Sequence, residues 1–298
     1  VPELPEVETV RRGLNRVTLH QVIWGGDVLL PRTIAHPFPV GDFLTAMAGC
    51  QIQAWQRRGK YLLAGLVKPR LNAPAEAAGW LGVHLRMTGQ LLWVSQDEPL
   101  PKHCRVRLFF PQQQELRFVD QRTFGQMWWV SPAELPETII TGLQRLGPEP
   151  FSIEFSLDYL TAQLRRSQRP IKNALLDQSL VAGVGNIYAD EALFLSQIHP
   201  QTPAAALIPQ QIERLRSAIV QVLQDSIDAG GTTFSDFRDV QGINGNYGGQ
   251  AWVYDRANQP CRRCGTLIQR IKLAGRSAHF CPQCQRSIGV SSRQVYTT

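Results

Sequence analysis

Apolar and polar positions repeat with two different periods along the chain, and the change of period divides it. Between residues 5 and 18, Val7, Val10, Leu14 and Val17 fall on one stripe and predict a helix. Pro5 suits its first turn, and Glu6 and Glu8 suit the positive end of its dipole. From about residue 20 to 130 the period drops towards two. His103 to Leu108 alternates polar with apolar, and Pro111 to Gln114 supplies a turn before the run Glu115 to Val119. Tyr61 to Val67, Trp80 to Leu85 and Leu91 to Val94 predict further short strands, and the Pro- and Ala-rich stretch 69–79 reads as a surface loop. This half is predicted to be an antiparallel sandwich or barrel with one leading helix.

The segment 131–150, containing Pro, Glu and Gly, reads as a linker, and helical spacing dominates after it. Leu157, Leu160 and Leu164 mark one helix. Ile208, Ile212, Leu215, Ile219, Val222 and Leu223 mark a longer one that stops at Gly230-Gly231. Residues 231–250 are glycine-rich with little apolar periodicity, which predicts a mobile loop. No internal repeat is visible.

Composition narrows the partner. A chain of 298 residues can bury a sizeable core, and its length favours two domains over one. Lys and Arg total 31 against 24 Asp and Glu, a net charge of +7, with a pI near 9.3. That balance favours an anionic partner, most commonly nucleic acid. No basic amphipathic helix or long apolar run supports a membrane surface instead. The amino terminus is acidic where a secretory signal would need basic residues, which predicts an intracellular, soluble protein.

The six cysteines separate into two groups. Cys50 and Cys104, in apolar or alternating contexts, are expected to be buried reduced thiols. The other four form Cys261-x2-Cys264 and Cys281-x2-Cys284 with sixteen residues between the pairs. This spacing presents four thiolates to one tetrahedral zinc around a β-hairpin. Between the pairs lie Arg270, Lys272, Arg276 and His279. A zinc-pinned hairpin with a basic tip suits nucleic acid, whereas a purely structural staple would need no such charges.

Three further stretches combine with these knuckles. They are Pro2-Glu3-Leu4-Pro5-Glu6-Val7-Glu8; Lys172-x2-Leu175-Leu176-Asp177-Gln178 followed by Gly183-Val184-Gly185-Asn186-Ile187-Tyr188; and Gly275-Arg276-Ser277-Ala278-His279-Phe280-Cys281-Pro282-Gln283-Cys284-Gln285. Together they resemble the formamidopyrimidine-DNA glycosylases, a base-excision repair family, from residue 2 to about 289. The resemblance implies an α+β fold. An amino-terminal catalytic β-sandwich with a leading helix would occupy 1–132, and a linker 133–150. A helix-two-turns-helix domain would occupy 151–255 with a lesion loop at 231–249, followed by a zinc finger at 256–290 and a frayed tail at 291–298. It places duplex DNA in the cleft between the halves and implies a monomer.

The same resemblance assigns roles. Pro2 is the nucleophile, a secondary amine that would attack the anomeric carbon, and Glu3 is the proton donor to the sugar. Lys60, following the Arg58-Gly59 turn, is placed against phosphates beside the lesion; a lysine there would otherwise simply be solvated. Asn186 is placed on a phosphate at a helix start, although a plain N-cap would need no ligand. Arg276 resembles the finger arginine that clamps the phosphates flanking the flipped nucleotide. Met87, Arg122 and Phe124 match the side chains that fill the vacated stack, and His84 and Lys172 are further DNA-contact candidates. Thr232, Thr233, Gln241 and Tyr247 belong to the loop expected to close over the base.

The chain departs from the family pattern in one respect. Val1 precedes Pro2 and, while attached, turns its nitrogen into a tertiary amide that cannot form an iminium. Val1 is therefore expected to represent a non-AUG start whose residue is removed. The implied activity is that of a bifunctional glycosylase and apurinic/apyrimidinic lyase acting on 8-oxoguanine and formamidopyrimidines. The alternatives are an oxidised-pyrimidine enzyme of the endonuclease VIII type, or a non-catalytic binder of damaged DNA if Val1 stays. One structural zinc and no redox cofactor are implied.

Overall fold

The computed structural model describes residues 2–232 and 238–286. Val1, Thr233 and the tail from 291 to 298, each the subject of an expectation above, lie outside the described residues. The chain divides into two compact units, Val1–Gly147 with Gln224–Gln250, and Pro148–Leu223 with Ala251–Thr298.

The first unit opens with α1 (Leu4–Thr18). Its strands are β1 (Gly25–Val28), β2 (Ile34–His36), β3 (Gln51–Arg58), β4 (Tyr61–Arg70), β5 (Ala73–His84), β6 (Gly89–Ser95), β7 (Cys104–Phe110), β8 (Gln114–Asp120) and β9 (Gln126–Val130). The helix α2 (Val40–Met47) lies between β2 and β3 in sequence. They form two sheets in the orders β1-β7-β8-β6 and β2-β9-β5-β4-β3. Between the sheets, inward side chains such as Leu62, Leu81 and Val83 of one and Val106, Phe110 and Phe118 of the other share a core. Val7, Val10 and Leu14 of α1 join that core, as their stripe predicts. The pairing is antiparallel except between β2 and β9, which run parallel.

Two segments differ from expectation. The stretch 69–79 is not a loop: β4 and β5 run on through it and pair as far as Arg70 with Ala73, leaving Leu71 and Asn72 as the turn. Alternation was obscured because this overhang is exposed on both faces and therefore selects no apolar side. The expected linker also carries structure. It contains α3 (Pro136–Ile139), and Ile140 and Leu143 pack with Tyr61, Leu63, Trp128 and Val130 on the outer face of the larger sheet. Arg58 Nη2 donates to the carbonyls of Leu146 and Gly147 at 3.1 and 2.7 Å. Cys50 and Cys104 are buried and free.

The second unit contains α4 (Leu157–Arg165), α5 (Ile171–Leu175) and α6 (Asn186–Leu195). The long helix α7 (Pro209–Asp228) begins in it and ends in the first unit. The finger follows as the hairpin of β10 (Gln269–Leu273) and β11 (Arg276–Phe280). Phe194, Val253, Ile268, Cys261 and Cys281 form the small core that joins the finger to α6. The molecule is thus α+β, a two-sheet sandwich with a leading helix and a helical unit that ends in a finger. No described helix is long and apolar enough to cross a membrane.

Candidate functional site

In the first unit the candidate chemistry begins at the head of α1. Pro2 is buried, Glu3 is 2% exposed, and Glu3 and Glu6 close a capping box over the first turn. Glu6 does more than cap. Its Oε2 accepts the Glu3 N–H at 2.8 Å while its Oε1 accepts the Thr232 N–H at 2.8 Å, a partner 226 positions away. One carboxylate therefore ties the backbone beside Pro2 to the start of the glycine-rich segment. That segment is closed at its base, where Thr232 bridges Asn246 and the Tyr247 N–H donates to Gly231 O at 3.1 Å. Val240 is buried in the sandwich core. Gln224–Gln250 group with the first unit.

A second cluster surrounds the β3–β4 turn, where Gly59 has φ +55° and Lys60 precedes β4. Arg57 braces the turn by donating to Gly59 O at 3.1 Å and to Glu8 Oε2 at 3.3 Å. Glu8 also receives Arg11 and Arg12. Burial works to raise its pKa, but the hydrogen bonds and charges of these arginines prevail and hold it at about 2. His84, at the end of β5, stacks edge-on against Tyr61 with centroids 4.5 Å apart. Its Nδ1 accepts the Arg86 N–H at 2.9 Å. Burial, with the charges of Arg86 and Lys60, pushes its pKa down to about 3. His84 is therefore neutral, with its proton assigned to Nε2, and can offer a phosphate a donor without a charge.

Met87, Arg122 and Phe124 stand on two turns that one buried carboxylate organises. Asp120 is 1% exposed. Its Oδ1 accepts from Thr88 Oγ1, its Oδ2 accepts the Gly125 N–H at 2.7 Å, and Thr88 Oγ1 accepts the Arg122 N–H at 3.0 Å. The turn carrying Met87 and the loop carrying Arg122 and Phe124 are thereby locked together. Gly125 is required by close approach, since a Cβ there would sit 2.4 Å from the Phe118 ring. Phe124 is 52% exposed, with the Arg122 guanidinium 4.9 Å from its ring centroid. A large exposed aromatic beneath a cation is a surface prepared for stacking.

In the second unit, Asn186 is the first residue of α6 and Gly185 occupies the cap position. Asn186 is not the cap, and its Oδ1 is the one buried side-chain polar atom among the described residues without a hydrogen-bond partner. A buried amide oxygen left without a partner at a helix start is costly unless a ligand or water meets it. Arg276, at the hairpin turn Ala274-Gly275, is exposed.

Two expected DNA contacts are not at the surface. Lys172 is fully buried; its Nζ donates to Asp190 Oδ1 at 2.6 Å and to Ser277 O. His279, counted among the basic tip residues, is 5% exposed and faces Asp190. Resemblance put Lys172 among the DNA contacts and the basic hairpin included His279, whereas each has an internal partner distant in sequence.

The four cysteine sulfurs lie within 4.8 Å of one another. The Cys264–Cys281 and Cys261–Cys284 sulfur separations are 3.5 and 4.0 Å. Tetrahedral Zn–S bonds of about 2.3 Å require sulfurs roughly 3.8 Å apart, so the set fits one closed, structural zinc site.

Sequence reasoning missed the buried acids Asp120, Asp190 and Glu191. Glu191, whose pKa burial pushes up, accepts the backbone N–H groups of Trp252, Val253 and Tyr254 at 2.7, 2.9 and 2.9 Å. The available signal was two adjacent acids in Asn186–Leu195, a helix otherwise apolar on every side.

Comparison with known proteins agrees with this geometry. Residues 1–127 match the family model described as the formamidopyrimidine-DNA glycosylase N-terminal domain. Residues 146–238 match that family's H2TH domain, and 258–286 match the zinc finger found in FPG and IleRS. The formamidopyrimidine-DNA glycosylase of Trichormus variabilis is 65% identical over 96% of this chain and 100% of its own. That of Nostoc punctiforme is 64% identical over 99% of each. A Lactococcus lactis FPG variant solved with Fapy-dG-containing DNA superposes with a TM-score of 0.86 at 35% identity, covering 96% of this chain and 100% of the other. A MutM complex with carbocyclic 8-oxo-G DNA gives 0.85 at 36% identity with the same coverage.

Proposed function

The chain belongs to the formamidopyrimidine-DNA glycosylase family, and we propose that it excises oxidised purines from duplex DNA and then cuts the strand at the resulting site. It is a base-excision repair DNA glycosylase that works on DNA as a single chain, inside the cell with its substrate. The observation that carries the reading is the buried Pro2–Glu3 pair at the head of α1, with Glu6 joining the Glu3 backbone to Thr232.

The secondary amine of Pro2, once residue 1 is absent, attacks C1′ of the damaged nucleotide, and the C1′–N bond to the base breaks. The helix dipole at that terminus favours the neutral, nucleophilic amine. Glu3 gives a proton to the ring oxygen as the sugar opens, which leaves an iminium that has no N–H to lose. This cation draws electrons from C2′, so loss of a C2′ proton expels the 3′ phosphate and a second elimination expels the 5′ phosphate. Lys60 and neutral His84 serve phosphates from the first unit, while Asn186 and Arg276 serve them from the second. Met87, Arg122 and Phe124 occupy the gap left by the extruded nucleotide, recovering part of an unstacking cost of roughly a few kcal/mol. The finger holds one structural zinc, a cross-link that fixes the hairpin bearing Arg276.

The test is borohydride trapping on an 8-oxoguanine·cytosine duplex, with an oxidised-pyrimidine duplex in parallel. A covalent adduct whose crosslinked peptide starts at Pro2 is expected, formed faster on the purine lesion. Tight binding with no adduct would remove the catalytic reading, and preference for the pyrimidine lesion would reassign the substrate.

A further inference from the structure

Asn186 and Arg276 lie on different elements, α6 and β11, and something must fix one against the other. Asp190 of α6 is hydrogen-bonded to β11. Asp190 stands one turn after Asn186 on α6 and is fully buried. Its Oδ2 accepts the His279 backbone N–H at 2.9 Å and lies 3.1 Å from His279 Nδ1, while its Oδ1 accepts from Lys172 Nζ. Lys172, on α5, donates in turn to the carbonyl of Ser277.

Ser277 O and His279 N are two residues apart on β11 and face the same edge of the strand. Among the described residues the finger sheet has two strands, so that edge has no strand neighbour there. Lys172 and Asp190 supply the donor and acceptor that a third strand would have offered. The arrangement fixes β11 along its own axis as well as laterally, because a slip by one residue would turn both groups away. Three residues before His279, at the turn, stands Arg276.

We propose that Asp190 is a positioning residue for the phosphate clamp, setting the register between the helix that bears Asn186 and the finger strand that bears Arg276. The inference rests on the clamp roles given to Arg276 and Asn186 above. Stability alone does not account for the network. A fully buried ammonium and carboxylate each give up their hydration, and an apolar pair of the same volume often stabilises a fold as well. What an apolar pair lacks is direction, since it would accept several registers of the strand equally. The network also gives Lys172 its function: it supports the contact without reaching DNA.

The test is a double-mutant cycle in binding, which needs no chemistry, using full-length zinc-loaded protein and a duplex with a stable abasic-site analogue. Asp190→Asn is expected to weaken binding by about tenfold and to make the dependence on log salt shallower by about one phosphate contact. In an Arg276→Ala background the same substitution should cost less than about twofold, whereas in a Lys60→Ala background it should keep its full effect. An equal loss in both backgrounds would show general destabilisation and overturn the proposal, as would no loss at all. Should Asp190→Asn lose zinc or unfold, His279→Asn, which removes only the ring contact, is carried through the same cycle with a loss of about threefold expected. Equal losses for it in both backgrounds would overturn the proposal too. If Arg276→Ala itself leaves binding unchanged, the clamp reading fails, a result separate from the failure of the register.

Discussion

The two units hold the residues proposed to contact DNA by different means. In the first, Met87, Arg122 and Phe124 stand on irregular turns gripped from beneath by Asp120 through hydroxyl and backbone donors. In the second, Asn186 and Arg276 stand on a regular helix and hairpin, fixed by Asp190, Lys172 and the four thiolates. The turns have no repeating hydrogen bonds of their own, and one carboxylate ties them to each other. A helix and a cross-linked hairpin keep an amide and a guanidinium at a set spacing. On the roles proposed, the wedge depends on irregular turns tied by one acid, and the clamp on regular elements and a metal cross-link.

The strongest challenge to that contrast is removal of the metal. Chelation, or Cys261→Ser, is expected to unfold the finger, because structural zinc contributes apparent binding free energies of about 10–16 kcal/mol in small fingers. Strand cleavage should be lost while the thermal transition of the sandwich stays, followed by calorimetry beside zinc content. One joint transition collapsing on chelation would mean that the units are not independently held.

Next in size is Glu8, which anchors three arginines in the first unit. Its depressed pKa contributes stability that is present above about pH 4.5 and lost as pH falls through about 2. Glu8→Gln should therefore cost up to roughly 3 kcal/mol at pH 7 and nothing near pH 2, by denaturant titration at both. A pH-independent cost would show that packing, not charge, holds the arginines.

Asp120→Asn sharpens the wedge side directly. Excision of 8-oxoguanine should fall by about ten- to hundredfold, or 1.4–2.7 kcal/mol of barrier. Cleavage at a preformed abasic site, which leaves less stacking to break, should change by less than about threefold. Equal losses on both substrates would remove Asp120 from wedge positioning.

The last test concerns His84, whose effect is confined to acid pH. With its pKa lowered from 6.5 to about 3, the unfolded chain binds its proton first on acidification. Stability is thus full above pH 6.5 and lost progressively towards pH 3. Ring resonances that show His84 neutral at pH 5 are expected; titration near 6.5 would show that its environment is wetter than its burial implies.

Legibility from sequence followed the same division. The zinc ligands could be read because Cys-x2-Cys spacing is local, and α1 because its stripe is. The wedge residues could be found only by resemblance, since Met87 in a turn has no period and Phe124 in isolation reads as a turn aromatic. Resemblance put Lys172 among the DNA contacts, but a motif match shows neither burial nor a counter-ion, and in the fold the lysine is fully buried against Asp190. The overhang of β4 and β5 was missed because strands exposed on both faces carry no alternation.

Sequence by itself determined what depends on neighbours within a turn or a hairpin: the leading helix, the alternating strands, the cysteine knuckles and the ordered motifs of the family. Tertiary structure alone decided which buried acid meets which distant backbone. Glu6 reaches Thr232 across 226 positions and Asp190 reaches His279 across 89. The physical reason is that a carboxylate accepts from any N–H brought within about 3 Å. Its partner is therefore chosen by how the sheets and helices pack and leaves no period or spacing in the chain.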